Sequence, residues 1–341
     1  MRHARLAACL LACLPPLACV AADAPAPVTP DTRLDVYASP GERIDIGNGR
    51  HLDLRCSGEG DATVVLEAGF GADSMAWAKV QPLLAKRARV CAYDRAGYGF
   101  SDAGPLPRDI EAEAADLHAL VHAAHLATPV VLVGHSIGSN IVRRYDQLHP
   151  EDVAALVLVE PPPQGLAETA PDYAKADAAM APAVLKAYRA CEQGAKDGKL
   201  AAPPPELQSC LRPPNPAWSD RLNAAVRANK SSPAFWQTIL SASEAKIGMF
   251  DAPVPADESH GDKPLVVVTA TDAYAGAEPA TRKALQAAQA HTHDALVATS
   301  TAGKRVSKAG TSHDIQLDAP QAVADAVQSV LPTAAARPAG E

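Results

Sequence analysis

Aromatic residues are scarce in this 341-residue chain: Phe, Trp and Tyr together make up 4% of it. Positive charge is also in short supply, with 31 Lys and Arg against 39 Asp and Glu, a net charge of −8 and no basic block. That balance excludes nucleic acid as an expected partner. No apolar run is long enough to span a bilayer: the longest, residues 6–20, is broken by Pro15 and Pro16 and falls short of the ~20 residues required. Neither a cluster of metal ligands nor the glycine fingerprint of a dinucleotide site stands out, so the expectation is no cofactor and no metal. Internal repeats are absent as well. What is present is a hydrophobic content of 48%, which excludes a disordered protein. The length suits one large α/β domain with an insertion, or two modest domains.

Residues 1–22 have the pattern of a cleaved signal peptide. Arg2 and Arg5 precede the apolar stretch, and Val20, Ala21 and Ala22 supply the small residues of a cleavage site. The residues before Cys13 loosely match a lipobox, which leaves lipidation open. Cleavage would remove Cys9, Cys13 and Cys19 and leave Cys56, Cys91, Cys191 and Cys210 of the seven cysteines. An even number in an exported chain points to disulfides, and four cysteines allow three pairings. Residues 23–40, rich in Ala and Pro without periodicity, read as a flexible leader.

Beyond the leader, residues 43–46 and 51–56 alternate about Gly47-Asn48-Gly49, a β-hairpin signal. Strands are predicted over 63–66, 89–93, 130–133 and 153–159, and helices over 77–87, 110–126 and 137–148. This alternation is the signature of right-handed βαβ units and a mostly parallel sheet. It lapses over 164–260, where polar helical stretches, proline breaks at 203–205 and 213–214, and Trp218, Phe235, Trp236, Met249 and Phe250 suggest an insertion over the strand ends. Those aromatic and Met side chains could line a pocket or form the insertion's own core. A strand over 264–269, a helix over 279–290, a weak strand over 304–308 and a helix over 320–331 follow, and residues 333–341 read as a disordered tail. At the centre lies Gly134-His135-Ser136-Ile137-Gly138, a G-x-S-x-G motif between a buried strand and a helix, the context that lifts a serine into an exposed, strained turn.

That motif, together with Leu66-Glu67-Ala68-Gly69-Phe70-Gly71 and Asp94-Arg95-Ala96-Gly97-Tyr98-Gly99-Phe100-Ser101, resembles the α/β-hydrolase superfamily. The resemblance runs from about residue 41 to 331. It implies a mostly parallel eight-stranded sheet flanked by helices, with a core over 41–163 and 261–332 and a helical cap over 164–260. It also makes Cys56 and Cys91 neighbours, and hence partners, with Cys191 and Cys210 joined inside the cap.

In that family the order along the chain is nucleophile, acid, histidine. Ser136 would be the nucleophile. Among eleven histidines, His313 is the expected base, because Ser312-His313-Asp314-Ile315-Gln316-Leu317-Asp318 resembles the family's histidine loop with Ser312 where glycine is usual. Asp272, ending the strand over 264–269, is the expected acid; Glu160, at the end of the strand over 153–159, is the other candidate. The backbone N–H groups of Phe70 and Ile137 would form the oxyanion hole. Asp94 and Arg95 are read as structural, holding the loop after the fourth strand.

The expected activity is ester hydrolysis by a secreted or periplasmic serine hydrolase through an acyl-enzyme, on a small-molecule ester or amide. The expected assembly is a monomer or small homo-oligomer, with no membrane span. Amide or peptide hydrolysis of the proline-iminopeptidase kind, and ligand binding with little turnover, are the alternatives.

Overall fold

The apolar runs become strands β1 (Glu42–Asp45), β2 (His51–Ser57), β3 (Thr63–Glu67), β4 (Arg89–Tyr93), β5 (Val130–His135), β6 (Val153–Val159), β7 (Leu265–Ala270) and β8 (Gly303–Lys308). The computed structural model describes residues 29–332. The expected signal peptide, Cys13 and the expected tail over 333–341 lie outside the described residues. Helices α1 (Gln81–Leu84), α2 (Ile110–Ala123), α3 (Ile137–Leu148), α4 (Leu166–Thr169), α5 (Pro171–Lys196), α6 (Asp220–Lys230), α7 (Pro233–Lys246), α8 (Pro279–Ala298), α9 (Ile315–Asp318) and α10 (Pro320–Gln328) complete the order.

All eight strands join in one sheet, ordered β1-β2-β4-β3-β5-β6-β7-β8. Only β2 runs antiparallel to its neighbours β1 and β4; the pairings from β4 through β3 to β8 are parallel. The continuous apolar character of β5 follows from its position, because both of its faces are covered. Val130 and Leu132 join a core with Leu117 and Leu120 of α2 and Tyr145 of α3. Val131 and Val133 point the other way, into a core with Trp77, Leu84 of α1 and Val327 of α10. A one-residue slip would exchange the two sets.

Cys56 and Cys91 stand directly opposite each other in the β2/β4 register and are bonded, as are Cys191 of α5 and Cys210 in the cap. Helices α4 to α7 are inserted between β6 and β7, where the sequence places its cap. Phe235 and Trp236 pack with Cys191, Leu207 and Cys210 of the cap and with Tyr98 of the loop after β4, so this cluster joins cap to core. Phe250 packs instead beside Leu166, Ala170 and Leu285.

Three local expectations change. Residues 77–87 are not one helix: a 3-10 helix over Ser74–Trp77 precedes the single turn α1, which has Pro82 in its first turn. Proline lacks an N–H and clashes with the preceding turn, so a helix starting at 77 could not pass through it. The helix expected over 279–290 runs on to Ala298 because Thr292, His293 and Leu296 continue its buried face. Within the expected leader, Thr32–Ala38 forms a 3-10 helix tied to the cap: the Asp31 N–H donates to Ala217 O at 2.9 Å, and Ser219 Oγ bonds Asp35 at 2.5 Å.

Candidate active site

Ser136 sits between β5 and α3 with φ 53° and ψ −126°, a left-handed backbone that costs an L-residue of order 1–2 kcal/mol. The surroundings enforce it. The Ser136 N–H donates to Val159 O of β6 at 3.0 Å, and the chain must then turn at once into α3. The turn closes only on small residues: a Cβ on Gly134 would lie 2.5 Å from Gly138 O, and one on Gly138 would lie 2.7 Å from Glu67 O. Although Ser136 occupies the N-cap position of α3, its hydroxyl makes no capping bond, which leaves the oxygen available at the positive end of the helix.

The loop after β3 lies against this turn. A Cβ on Gly69 would come within 3.3 Å of the Ser136 Cβ, so the Gly69-Phe70 backbone borders the serine, and Ile137 follows it in sequence. Arg95 fixes that loop. Its guanidinium donates to Gly69 O at 2.7 Å and Ala68 O at 2.5 Å and pairs with Glu67, all buried. Thus Arg95 reaches the β3 loop, while Asp94 accepts the Phe100 N–H of its own loop at 3.0 Å and the Ser74 N–H of the 3-10 turn after β3 at 2.9 Å. From the cap, Lys230 Nζ donates to Gly71 O at 2.7 Å. Core and cap therefore both grip the Ala68–Gly71 backbone.

His313 lies on the loop between β8 and α9. Its carbonyl oxygen is 3.0 Å from His135 Nε2, and the two rings are 4.9 Å apart. The carbonyl accepts, so His135 carries its proton on Nε2, leaving Nδ1 to face Gln316 Nε2 at 3.4 Å. Burial, then His313, push His135 down to about 4, and burial holds His313 below the ordinary imidazole range. Both rings are neutral at pH 7. Ser312 stands where glycine is usual in the resemblance, and its hydroxyl bonds Asp318 at 2.7 Å, pinning the base of the same loop.

Asp272 stands exposed just beyond β7, and its N–H donates to Thr311 O at 3.0 Å, two residues before His313. The structure thus brings Ser136, Phe70 and Ile137 together and places Asp272 and His313 on adjoining loops. Among the described residues, no hydrogen bond links the Asp272 carboxylate to the His313 ring, or that ring to the Ser136 hydroxyl. Glu160 is fully buried with φ 48°, and its carboxylate accepts the Ala270 N–H at 2.6 Å and the Gln289 amide. Buried His293 joins Thr269 Oγ1 at 2.7 Å to Pro161 O at 2.9 Å, a tie between α8 and the ends of β6 and β7.

A small cleft of about 30 Å³ opens at Phe70 and Ile137 under the cap, walled by Tyr98, Ile141, Lys246 and Met249. Neither Ser136 nor His313 lines it, so it lies to one side of the serine. Met249 is the one apolar cap residue singled out in the sequence that reaches it. Lys246 Nζ stands 3.4 Å from the centre of the Phe70 ring, and burial pulls it down to about 8.

Comparison with known proteins agrees with this architecture. The sequence profile of the alpha/beta hydrolase fold matches residues 62–245, ending before β7 and therefore before Asp272 and His313. A pimeloyl-[acyl-carrier protein] methyl ester esterase from Chromobacterium violaceum is 33% identical over 130 residues, 38% of this chain and 48% of that protein. The matches span less than half the length of the curated relatives. Among solved structures, Est816, described as an N-acyl homoserine lactone degrading enzyme, covers 84% of this chain and 99% of its own with a TM-score of 0.56 at 20% identity. The epoxide hydrolase CorEH covers 85% and 98% with a TM-score of 0.57 at 17% identity. At such identities the likeness is one of fold. A mostly parallel hydrolase-type sheet with a strained strand-to-helix turn at Ser136 defines the class, and the chain belongs to the alpha/beta hydrolase fold family.

Proposed function

We propose that this chain is a serine hydrolase that cleaves carboxylic esters through an acyl-enzyme, acting outside the cytoplasm. One observation carries the proposal: Ser136 is held at φ 53° with its hydroxyl unused as a helix cap, against the Gly69-Phe70 backbone. Ser136 Oγ attacks the ester carbonyl carbon while His313 takes its proton, and the carbonyl π electrons move onto oxygen. The Phe70 and Ile137 N–H groups donate to that oxyanion. Its collapse breaks the bond to the alcohol oxygen, which leaves with the proton from His313. Water, deprotonated by His313, then attacks the acyl-enzyme by the same route and releases the acid.

Asp272 is the acid that orients His313. Contacts of this kind are often long without substrate and tighten in the complex, and the Asp272 N–H bond to Thr311 O already ties the two loops. A seryl nucleophile disfavours epoxide opening and dehalogenation, for which relatives use a carboxylate. The two disulfides support an oxidising compartment, and no described helix is long and apolar enough to cross a membrane.

The test is labelling with a fluorophosphonate probe, mapped by peptide mass spectrometry, beside turnover of p-nitrophenyl esters of increasing chain length and of aminoacyl amides. Label on Ser136, ester turnover above amide turnover, and loss of both signals in Ser136→Ala are expected. Absent labelling of a folded, disulfide-intact sample would overturn the proposal in favour of a ligand-binding member of the fold.

A further inference from the structure

A second cluster of chemically capable side chains lies at the opposite end of α3 from Ser136. His118 and His122 are four residues apart on α2 and so share one face. Asp152 reaches them from the 3-10 turn Pro150–Asp152 that links α3 to β6. One ligand atom from each of the three falls within 4.8 Å of the others. His122 Nε2 is 2.7 Å from Asp152 Oδ2, and His118 Nε2 is 3.7 Å from the same oxygen.

These spacings bracket those of a metal's inner shell. Donors about 2.0–2.2 Å from a first-row ion stand about 3–3.5 Å from one another, so the pairs at 2.7 and 3.7 Å need shifts of a few tenths of an ångström, and the two imidazole nitrogens, within 4.8 Å of each other, need a shift of at most about 1.5 Å. The donors are also held in place. The Tyr145 hydroxyl donates to Asp152 Oδ2 at 3.0 Å, as outer partners of ligating carboxylates do, and the His118 ring stacks on His149 at 3.7 Å with planes 16° apart. The Asp152 side chain is 9% exposed, whereas His118 and His122 are 36% and 50% exposed, which leaves an entry path on the imidazole side. A His122–Asp152 hydrogen bond alone would use neither His118 Nε2 nor the spacing of the histidines.

We propose that His118, His122 and Asp152 form a binding site for a divalent first-row transition ion. Two imidazoles and one carboxylate suit Zn²⁺, Co²⁺, Ni²⁺ or Cu²⁺ and discriminate against Mg²⁺ and Ca²⁺, which want oxygen donors. Water fills the remaining positions. The twelve residues of α3, at 1.5 Å each, put the site about 18 Å from Ser136. The ion therefore takes no part in acyl transfer. It clips α2 to the turn between α3 and β6, a join otherwise made by side-chain packing and the His122–Asp152 bond. The sequence hides the site because Asp152 is thirty residues from His122 and no local spacing announces it.

The test uses tag-free, EDTA-treated full-length protein at pH 7.5, titrated calorimetrically with Zn²⁺, Co²⁺ and Mg²⁺, with thermal melts alongside. The expected result is one Zn²⁺ per chain with micromolar affinity, no measurable Mg²⁺ binding, and at least tenfold weaker Zn²⁺ binding in both His118→Ala and His122→Ala. Zinc at a hundred times its dissociation constant should raise the folded-to-unfolded ratio about a hundredfold in the wild type. Both histidines are partly exposed, so the variants should fold, which circular dichroism checks. Zinc binding absent up to 1 mM, or unchanged in both variants, would overturn the proposal. Neither outcome bears on Ser136, whose labelling is a separate measurement.

Discussion

Glu160 and Asp272 end neighbouring strands, and paired conservative substitutions separate a buried structural carboxyl from a triad acid. Glu160 has both oxygens engaged, one by the Ala270 N–H and one by Gln289. Burial outweighs those two donors and pushes its carboxyl from an ordinary 4.5 up to about 7. Between pH 4.5 and 7 the folded chain keeps a proton that the unfolded chain has lost, so stability falls as pH rises through that window and levels off above it. Ionisation of Glu160 therefore destabilises the fold by about 3 kcal/mol at pH 8 relative to pH 4. Glu160→Gln keeps an oxygen for the Ala270 N–H and cannot ionise, and Gln289 can turn its amide to present oxygen to the new NH₂. Urea unfolding at pH 4.5, 6 and 8 should show this component of the pH dependence vanish in the variant, with ester turnover at pH 8 retained within a few-fold. Asp272→Asn, at an exposed side chain, should leave the unfolding curves alone and cut kcat by about 10⁴, the scale of losing the group that sets the histidine tautomer. An unchanged pH slope in Glu160→Gln would refute the burial argument. Loss of turnover in Glu160→Gln with an active Asp272→Asn would move the acid to Glu160.

Other consequences are open to measurement. Because burial holds His313 below the ordinary imidazole range, kcat/KM should climb on an acid limb centred below 6.5 and be flat at neutral pH; a limb above 6.5 would contradict the assignment. Lys246 stands over Phe70 at the cleft and forms no ion pair among the described residues, with Asp177 supporting its charge only through space. Lys246→Met should therefore lower kcat/KM about tenfold for an acyl chain ending in a carboxylate and leave a neutral ester of equal length unchanged; equal losses on both would count against a charge effect. The Cys191–Cys210 bond closes a loop of sequence separation 19, so replacing both by Ala should cost about 3 kcal/mol of cap stability. Limited proteolysis confined to residues 164–260 would report it, and unaltered cleavage would indicate that packing alone holds the cap.

What could be read in advance was what the chain encodes locally. The bounds of β6 and α3 follow from an unbroken apolar run and from a motif bounded by His149-Pro150, because burial on both faces and a proline stop leave little choice. Pro82 carried an equally local signal against a helix over 77–87. The 3-10 helix over Thr32–Ala38 was not legible, since its partners Ala217 and Ser219 lie more than 180 residues away and its composition is that of a linker. His135 shows the same limit within the site: its place in G-x-S-x-G admits many side chains, and its bond to His313 O spans 178 residues.

The long-range ties converge on a few backbone atoms. Arg95 holds Ala68 O and Gly69 O from the core, Lys230 holds Gly71 O from the cap, and His135 holds His313 O from the elbow. Carbonyls engaged in this way fix the peptide planes of the loop before and after Phe70, and with them the direction of the N–H groups that an oxyanion would need. Arg95 can do this only while Glu67 and Glu113 offset its buried charge, so the acidic partners matter to the geometry of the loop. The cap enters the same arrangement through Lys230, which is itself held over the Phe235 ring at 4.3 Å. Movement of α6 and α7 away from the core would release Gly71 O and loosen the loop beside Ser136. Cap position and donor geometry are therefore one mechanical unit, and substitutions in the cap core around Phe235 should change kcat as well as KM.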